Sequence, residues 1–145
     1  MTTPRVEVAI TIRAARERVF DAWLDPARLA RFLCAGGTHV ARIEIDAREG
    51  GQFRVVMASD RGEYDHRGQY LEIARPERLR FTWTSAATHG LATDVTVIFE
   101  EIDDGTRVTL VHTGLPDQTA ATEYAKGWQS ILQKCRDAVL ADTTR

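Results

Sequence analysis

Residues 124–140, YAKGWQSILQKCRDAVL, carry a helical pattern near the end of the 145-residue chain. Their apolar side chains recur at intervals of three and four residues, so they share one face of a helix for about four turns. Lys126 and Gln133 lie on the other face. We predict a long amphipathic helix, entered at Pro116-Asp117, whose apolar face packs against another element. The apolar face comprises Tyr124, Trp128, Ile131, Leu132, Cys135, Ala138 and Val139.

The chain before this helix has the period of β-strands. Val97 and Phe99 alternate with polar side chains, and Asp103-Asp104-Gly105 is typical of a hairpin turn. Such alternation indicates strands with one buried and one solvent-exposed face. Gly68 suggests a bulge or a bend within its strand. The predicted strands cover residues 6–13, 40–46, 53–57, 64–73, 79–84, 95–100 and 107–112.

Two short helices are predicted between the first and second strands. Val19, Phe20 and Trp23 form an apolar face in residues 15–24, and a second helix follows Pro26 over about residues 27–32. Strands in a run with segregated helices predict an α+β fold with an antiparallel sheet. One long helix cannot fill a curved seven-stranded sheet, so we expect a cavity between helix and sheet.

The composition is that of one ordinary globular domain. Hydrophobic residues make up 43%, and 19 Lys+Arg against 21 Asp+Glu leave a net charge of -2. A single domain over residues 1–145 is the default at this length. The charge balance offers no basic surface for nucleic-acid phosphates, and no apolar run reaches the ~18 residues of a membrane span. We therefore expect neither a nucleic-acid nor a membrane partner.

The N-terminal residues and the cysteines indicate a cytoplasmic location. The segment MTTPRVEVAI lacks the apolar region and cleavage site of a secretory signal. Cys34 and Cys135 lie far apart in sequence, and without an export signal we expect free thiols.

No cofactor or metal is predicted. The histidines, His39, His66, His89 and His112, do not have the spacing of a zinc site. The glycine pair Gly50-Gly51 lies between strands rather than before a helix, so it does not match a phosphate-binding loop.

Short motifs in a fixed order over about 120 residues carry a family resemblance. They are Val19-Phe20 with Trp23 and Asp25-Pro26, residues 46–53, residues 68–73 with Pro76, Arg78 and Leu79, Phe81-Thr82-Trp83, residues 105–110 and Gly127-Trp128. In this order they resemble the START-like superfamily, the helix-grip fold. The closest resemblance within it is to the group named after the activator of the ninety-kilodalton heat-shock protein ATPase.

The resemblance implies a helix-grip fold with an internal pocket for a small, largely apolar ligand. The superfamily includes lipid carriers, polyketide aromatase/cyclases and proteins that sequester toxic small molecules. In this group a tryptophan often follows the second short helix, where this chain has Arg31-Phe32-Leu33-Cys34. The eukaryotic activator also has an N-terminal domain that grips the chaperone. That domain has no counterpart in 145 residues, so a chaperone interaction stays open without support from a second domain.

Apolar strand residues and a few polar side chains are the candidate pocket lining. Tyr64, His66 and His112 would supply polar contacts that orient a ligand, although His112 also suits an ordinary position at a strand end, hydrogen-bonded or half exposed. Trp128 suits core packing better than a pocket wall. The predicted walls are Phe53, Val55, Phe81, Trp83, Val97, Phe99 and Leu132.

Three functions are consistent with these residues. The first is non-catalytic binding of a small apolar or aromatic molecule. The second is a polyketide-type cyclase, dehydratase or hydrolase with His66 or His112 as its acid or base. The third is a co-chaperone-like interaction module or a homodimer.

Overall fold

The computed structural model describes residues 4–142, and its largest element is a curled seven-stranded antiparallel sheet. The strand order is β1-β7-β6-β5-β4-β3-β2, so β2 to β7 form a meander and β1 pairs with β7. The strands are β1 (Val6–Ile12), β2 (His39–Ile45), β3 (Gln52–Ser59), β4 (Gly62–Ala74), β5 (Arg78–Trp83), β6 (Thr93–Ile102) and β7 (Gly105–Thr113).

In the described part of the chain, three α-helices accompany the sheet: α1 (Arg16–Ala22), α2 (Pro26–Leu29) and α3 (Gln118–Ala141). The Asp25 carboxylate caps α2 by accepting from the amide of Ala27 at 3.1 Å. Asp117 caps α3 in the same way, accepting from the amide of Ala120 at 2.8 Å. The α+β helix-grip fold predicted from the sequence is confirmed.

The apolar side chains of the strands and of α3 pack together in one hydrophobic core. Val97 and Phe99 of β6 and Leu110 of β7 are buried, as their alternation predicted. On α3, the helical stripe from Trp128 to Val139 is buried on the same side of the sheet. The helix therefore covers the inner face of the sheet, which places its N-terminal half near the ends of β3 and β4.

Gly68 lies in a regular part of β4, opposite Phe53 of β3. A Cβ atom at this position would collide with the Phe53 ring and with the carbonyl of Thr82. The register shift of β4 occurs instead between Tyr70 and Glu72, against β5. Gly68 thus permits close packing rather than marking a bulge, and the inward parity of His66 continues to Tyr70.

The interior beside α1 and α2 is filled by aromatic rings. Trp23 packs edge-on against Phe32 and Phe99, with ring centroids 5.2 and 6.4 Å apart. A gap of only about 10 Å³ remains between this cluster and the inner face of β5. Any cavity large enough for a small molecule must therefore lie elsewhere between the helices and the sheet.

Candidate functional site

A cleft of about 540 Å³ opens between β3, β4, the segment after β5 and the N-terminal half of α3. A volume of this size lies in the range of small-molecule sites. Most of the lining is apolar or uncharged, and four charged residues border it. The lining comprises Ala35, Thr38, Met57, Glu63, Tyr64, Asp65, His66, Arg67, Thr84, Ser85, Ala86, Ala87, Gly90, Glu123, Tyr124 and Gly127.

A capping box shapes the wall formed by the segment after β5. The Ser85 hydroxyl accepts from the amide of Ala87 at 3.1 Å, and the Thr88 hydroxyl accepts from the amide of Ser85 at 3.0 Å. These two bonds fix a short 3₁₀ turn at Ala86–Thr88, which His89 ends in a left-handed conformation. The turn holds the small Ala86 and Ala87 side chains at the cleft.

The opposite wall combines small residues with an anchored loop. Gly127 of α3 faces Ala35, and a Cβ built on it would lie 3.4 Å from the Cβ of Ala35. The Lys134 ammonium donates to the carbonyls of Cys34 and Gly36, both at 2.7 Å. Lys134 therefore holds the loop that carries Ala35 and keeps this side of the cleft in place.

A pair of hydroxyls forms the polar part of the cleft. The Trp83 indole N–H donates to the Tyr124 hydroxyl oxygen at 3.2 Å, and the Ser85 and Tyr124 oxygens are 2.7 Å apart. The amide of Ala87 already donates to Ser85. The two hydroxyls have two protons, and their mutual bond uses one. Whichever hydroxyl donates, the other keeps a proton for a ligand.

His66 supplies an acceptor beside this hydroxyl pair. Its Nδ1 lies 3.3 Å from the carbonyl oxygen of Val55, which can only accept, so Nδ1 carries the proton. Burial lowers the pKa of His66 from its ordinary value of 6.5, against the opposing hydrogen bonds of the ring to the backbone of Val55 and Tyr64. The neutral form is therefore favoured, and with the proton on Nδ1 the lone pair lies on Nε2. The ring packs on Trp83 with centroids 5.1 Å apart, which fixes its orientation.

His112 lies beneath the cleft, in the core. The Trp128 indole N–H donates to Nδ1 at 2.9 Å, and Nε2–H donates to the Thr93 hydroxyl at 2.7 Å. The Thr93 hydroxyl proton goes to the carbonyl of Trp83 at 2.6 Å, so this tautomer is the one that satisfies every group. Burial lowers the pKa of His112 to about 4. Both ring nitrogens are thus occupied within the fold.

The structure divides the predicted lining residues into two groups. Tyr64 and His66 border the cleft, and Tyr64 is 45% exposed. The others are buried in the core below it or towards α1 and α2. These core residues are Phe53, Val55, Phe81, Trp83, Val97, Phe99, His112, Trp128 and Leu132.

Sequence reasoning did not assign Ser85 and Tyr124 to the site. The sequence pattern places Tyr124 in the apolar stripe of α3, and its ring does pack on His112 of the sheet, but its hydroxyl lies at the cleft. Ser85 has a signal in the sequence, because Ser-x-x-Thr matches a capping box with Thr in place of the usual acidic or amide residue.

Among residues 4–142, no group of three His, Cys, Asp or Glu side chains is placed to hold a metal ion. Within the same range, no helix is long and apolar enough to cross a bilayer. Cys34 and Cys135 are both buried free thiols.

The comparisons with known proteins identify the family. The model of the family described as Activator of Hsp90 ATPase homolog 1-like protein matches residues 13–139. This chain belongs to that family. The matched residues include β2 to β7, α1, α2, most of α3 and the residues that line the cleft. No curated protein matches the chain.

Solved structures from three bacteria share the fold of this AHSA1-like chain. A Chromobacterium violaceum protein is 28% identical with a TM-score of 0.84, covering 94% of this chain and 96% of its own. The AHSA1 protein of Silicibacter pomeroyi is 27% identical with a TM-score of 0.84, covering 95% and 99%. The AHSA1-like protein of Aeromonas hydrophila is 28% identical with a TM-score of 0.79, covering 97% and 95%.

Proposed function

We propose that this AHSA1-like protein binds a small, largely apolar molecule in the cleft without transforming it. The observation that carries the proposal is the cleft of about 540 Å³, in contrast to the gap of only about 10 Å³ that the core leaves beside α1 and α2. Its lining combines small and apolar side chains with a few polar groups, the combination that is typical of ligand sites.

The polar groups are suited to orienting a ligand. Ser85 and Tyr124 together offer one hydroxyl proton, and His66 Nε2 offers one lone pair. The His66 ring and the side chain of Met57 provide apolar or polarisable contacts on the cleft wall, and the Trp83 ring packs behind His66. For a two-ring aromatic molecule we expect a dissociation constant on the order of 10 μM.

An enzymatic role is the second candidate, and His66 is the observation that favours it. Its unprotonated Nε2 on the cleft wall could accept a proton from a bound substrate. His112 is less suited to this role because its two nitrogens are bonded to Thr93 and Trp128. A cyclase, dehydratase or hydrolase activity that survives His66→Gln would contradict this candidate.

Filling the cleft tests the binding proposal. The probe is N-phenyl-1-naphthylamine, an uncharged apolar fluorophore whose emission rises in apolar surroundings. Ala86→Trp, at an exposed position on the cleft wall, should weaken binding at least about tenfold by steric exclusion. Ala47→Trp, at an exposed turn position away from the cleft, is the matched control and should bind like the parent protein.

Stabilisation against thermal unfolding is an independent measure of probe binding. Probe at about 100 times its dissociation constant should stabilise the parent and the control by about 2.7 kcal/mol and the Ala86→Trp variant much less. Absence of binding to the parent protein, or equal binding by both tryptophan variants, would contradict the proposal.

A cytoplasmic location and the partner classes are part of the same proposal. Two buried free thiols are consistent with a reducing compartment. We expect no nucleic-acid or membrane partner. Homodimerisation and chaperone contact stay open, and analytical ultracentrifugation and a binding assay with purified chaperone would test them.

A further inference from the structure

We infer that the cleft selects an uncharged apolar molecule with a hydrogen-bond donor, such as an alcohol, a phenol or an amine N–H, and rejects anions. This inference rests on the proposed function, because it names the chemical class of ligand for the same cleft. It is carried by the charges and hydrogen-bonding groups of the lining residues.

The inner wall offers no cation to a bound anion. Among the described residues that border the cleft, Arg67 is the one with a permanent positive charge. It alternates along β4 with His66, so its side chain projects to the outer face of the sheet. There it pairs with Asp65 at 3.1 Å, and Asp65 also pairs with Arg54 at 2.9 Å. An anion in the cleft would lose its hydration without gaining a counterion.

The rim adds negative rather than positive charge. Glu123 lies on an exposed turn of α3 and borders the cleft, as does Glu63 at the start of β4. Within residues 4–142, neither carboxylate takes part in an ion pair shorter than 4.0 Å. Their negative charges disfavour an approaching anion.

The hydrogen-bonding groups match a donor on the ligand. His66 is held neutral by burial, and its Nδ1 proton is used by Val55, so Nε2 can only accept. A hydroxyl or N–H of the ligand satisfies this lone pair, whereas a carboxylate or sulfonate oxygen faces it unfavourably. The spare hydroxyl proton of Ser85 and Tyr124 can bond one acceptor atom of the same ligand.

A pair of fluorophores that differ by one charge tests the rejection of anions. N-phenyl-1-naphthylamine is uncharged, and 8-anilino-1-naphthalenesulfonate has the same ring system with an added sulfonate. We expect the sulfonate to bind the parent protein at least about tenfold more weakly. Ala86→Lys, which places an ammonium on the cleft wall, should strengthen sulfonate binding by roughly three- to tenfold while leaving the uncharged probe within about twofold. Ala47→Lys, outside the cleft, should change neither.

The donor requirement is tested by competition. 2-Naphthol should displace the uncharged probe about tenfold better than 2-methoxynaphthalene, which lacks the O–H. In His66→Phe, the two competitors should displace the probe with similar affinity. Equal displacement of the probe by the two competitors in the parent protein would overturn the donor requirement.

The outcomes separate this inference from the proposed function. If the sulfonate binds the parent protein as tightly as the uncharged probe, the inference is overturned and the binding proposal stands. If the sulfonate is weaker but Ala86→Lys does not improve it, the missing cation is not the cause and the inference is again overturned. If neither probe binds, both proposals fail.

Discussion

Lowering the pH should destabilise this protein through His112. The ring is fully buried, its Nδ1 accepts from the indole N–H of Trp128, and its Nε2–H donates to Thr93. A second proton would have to enter at Nδ1, where the indole N–H already points. Burial accordingly lowers the pKa of His112 from 6.5 to about 4.

The sign of the effect follows from the lowered pKa. The unfolded chain takes up the proton near pH 6.5 and the folded protein only near pH 4, so the contribution of His112 is complete above pH 6.5 and is lost as the pH falls towards 4. This difference in pKa is worth roughly 3 kcal/mol of folding stability, most of which is lost by pH 4.5. The lowered pKa of His66 adds a loss of the same sign. Asp21 and Asp65 also have lowered pKa values, and their losses fall in the more acidic range.

Urea unfolding at pH 7.5, 6.0, 5.0 and 4.5 measures this contribution. Between pH 7.5 and 4.5 the parent protein should lose roughly 2–3 kcal/mol more stability than His112→Gln, while His39→Gln, at an exposed position, should follow the parent. Nitrogen NMR of the parent protein is the second readout, and His112 should remain the Nε2–H neutral tautomer at pH 5. If the free energy of unfolding of the parent and of His112→Gln changed in parallel with pH, or if the NMR titration midpoint of His112 lay near pH 6.5, the reasoning would be refuted.

Two further predictions concern packing and the cleft wall. Gly68→Ala should destabilise the fold by at least about 3 kcal/mol in urea unfolding, because the added Cβ would collide with backbone and with a ring. Gly37→Ala is the control and should change stability little, because its Cβ would lie in open space. Similar stabilities of the two variants would contradict the close packing at Gly68. Lys134→Met should cost about 1–3 kcal/mol and weaken binding of the uncharged probe, since it frees the loop at Ala35, while Lys126→Met on the exposed face of α3 should do neither. An unchanged Lys134→Met variant would show that the loop holds its position without the ammonium.

The fold was predictable because two periods dominate the sequence. Alternation in the strands and the three-four spacing of α3 both reflect which side chains are buried, and burial supplies most of the stabilisation. The exact role of Gly68 was not predictable in this way. A bulge and a close approach of another side chain both favour glycine, and only the position of the Phe53 ring distinguishes them.

The site was less predictable because it depends on contacts between distant segments. The inward parity of His112 could be inferred, whereas that of His66 depended on whether Gly68 marks a bulge. The hydrogen bonds of neither histidine could be inferred. The partners of His112 come from β6 and α3, and their distances depend on register and helix packing. Ser85 lies in a segment without hydrophobic periodicity, so its place beside Tyr124 appears only when the chain is folded.

Mapping the uncharged probe by NMR is the most direct test of the account. Amide shifts of the parent protein should be followed while N-phenyl-1-naphthylamine is added, with the Ala86→Trp variant as the blocked control. We predict saturable shifts centred on Ser85, His66, Tyr124 and Gly127, all of which border the cleft, and their loss in the blocked variant. Shifts confined to the outer face of the sheet, or none at saturating probe, would contradict the claim that this cleft is the binding site.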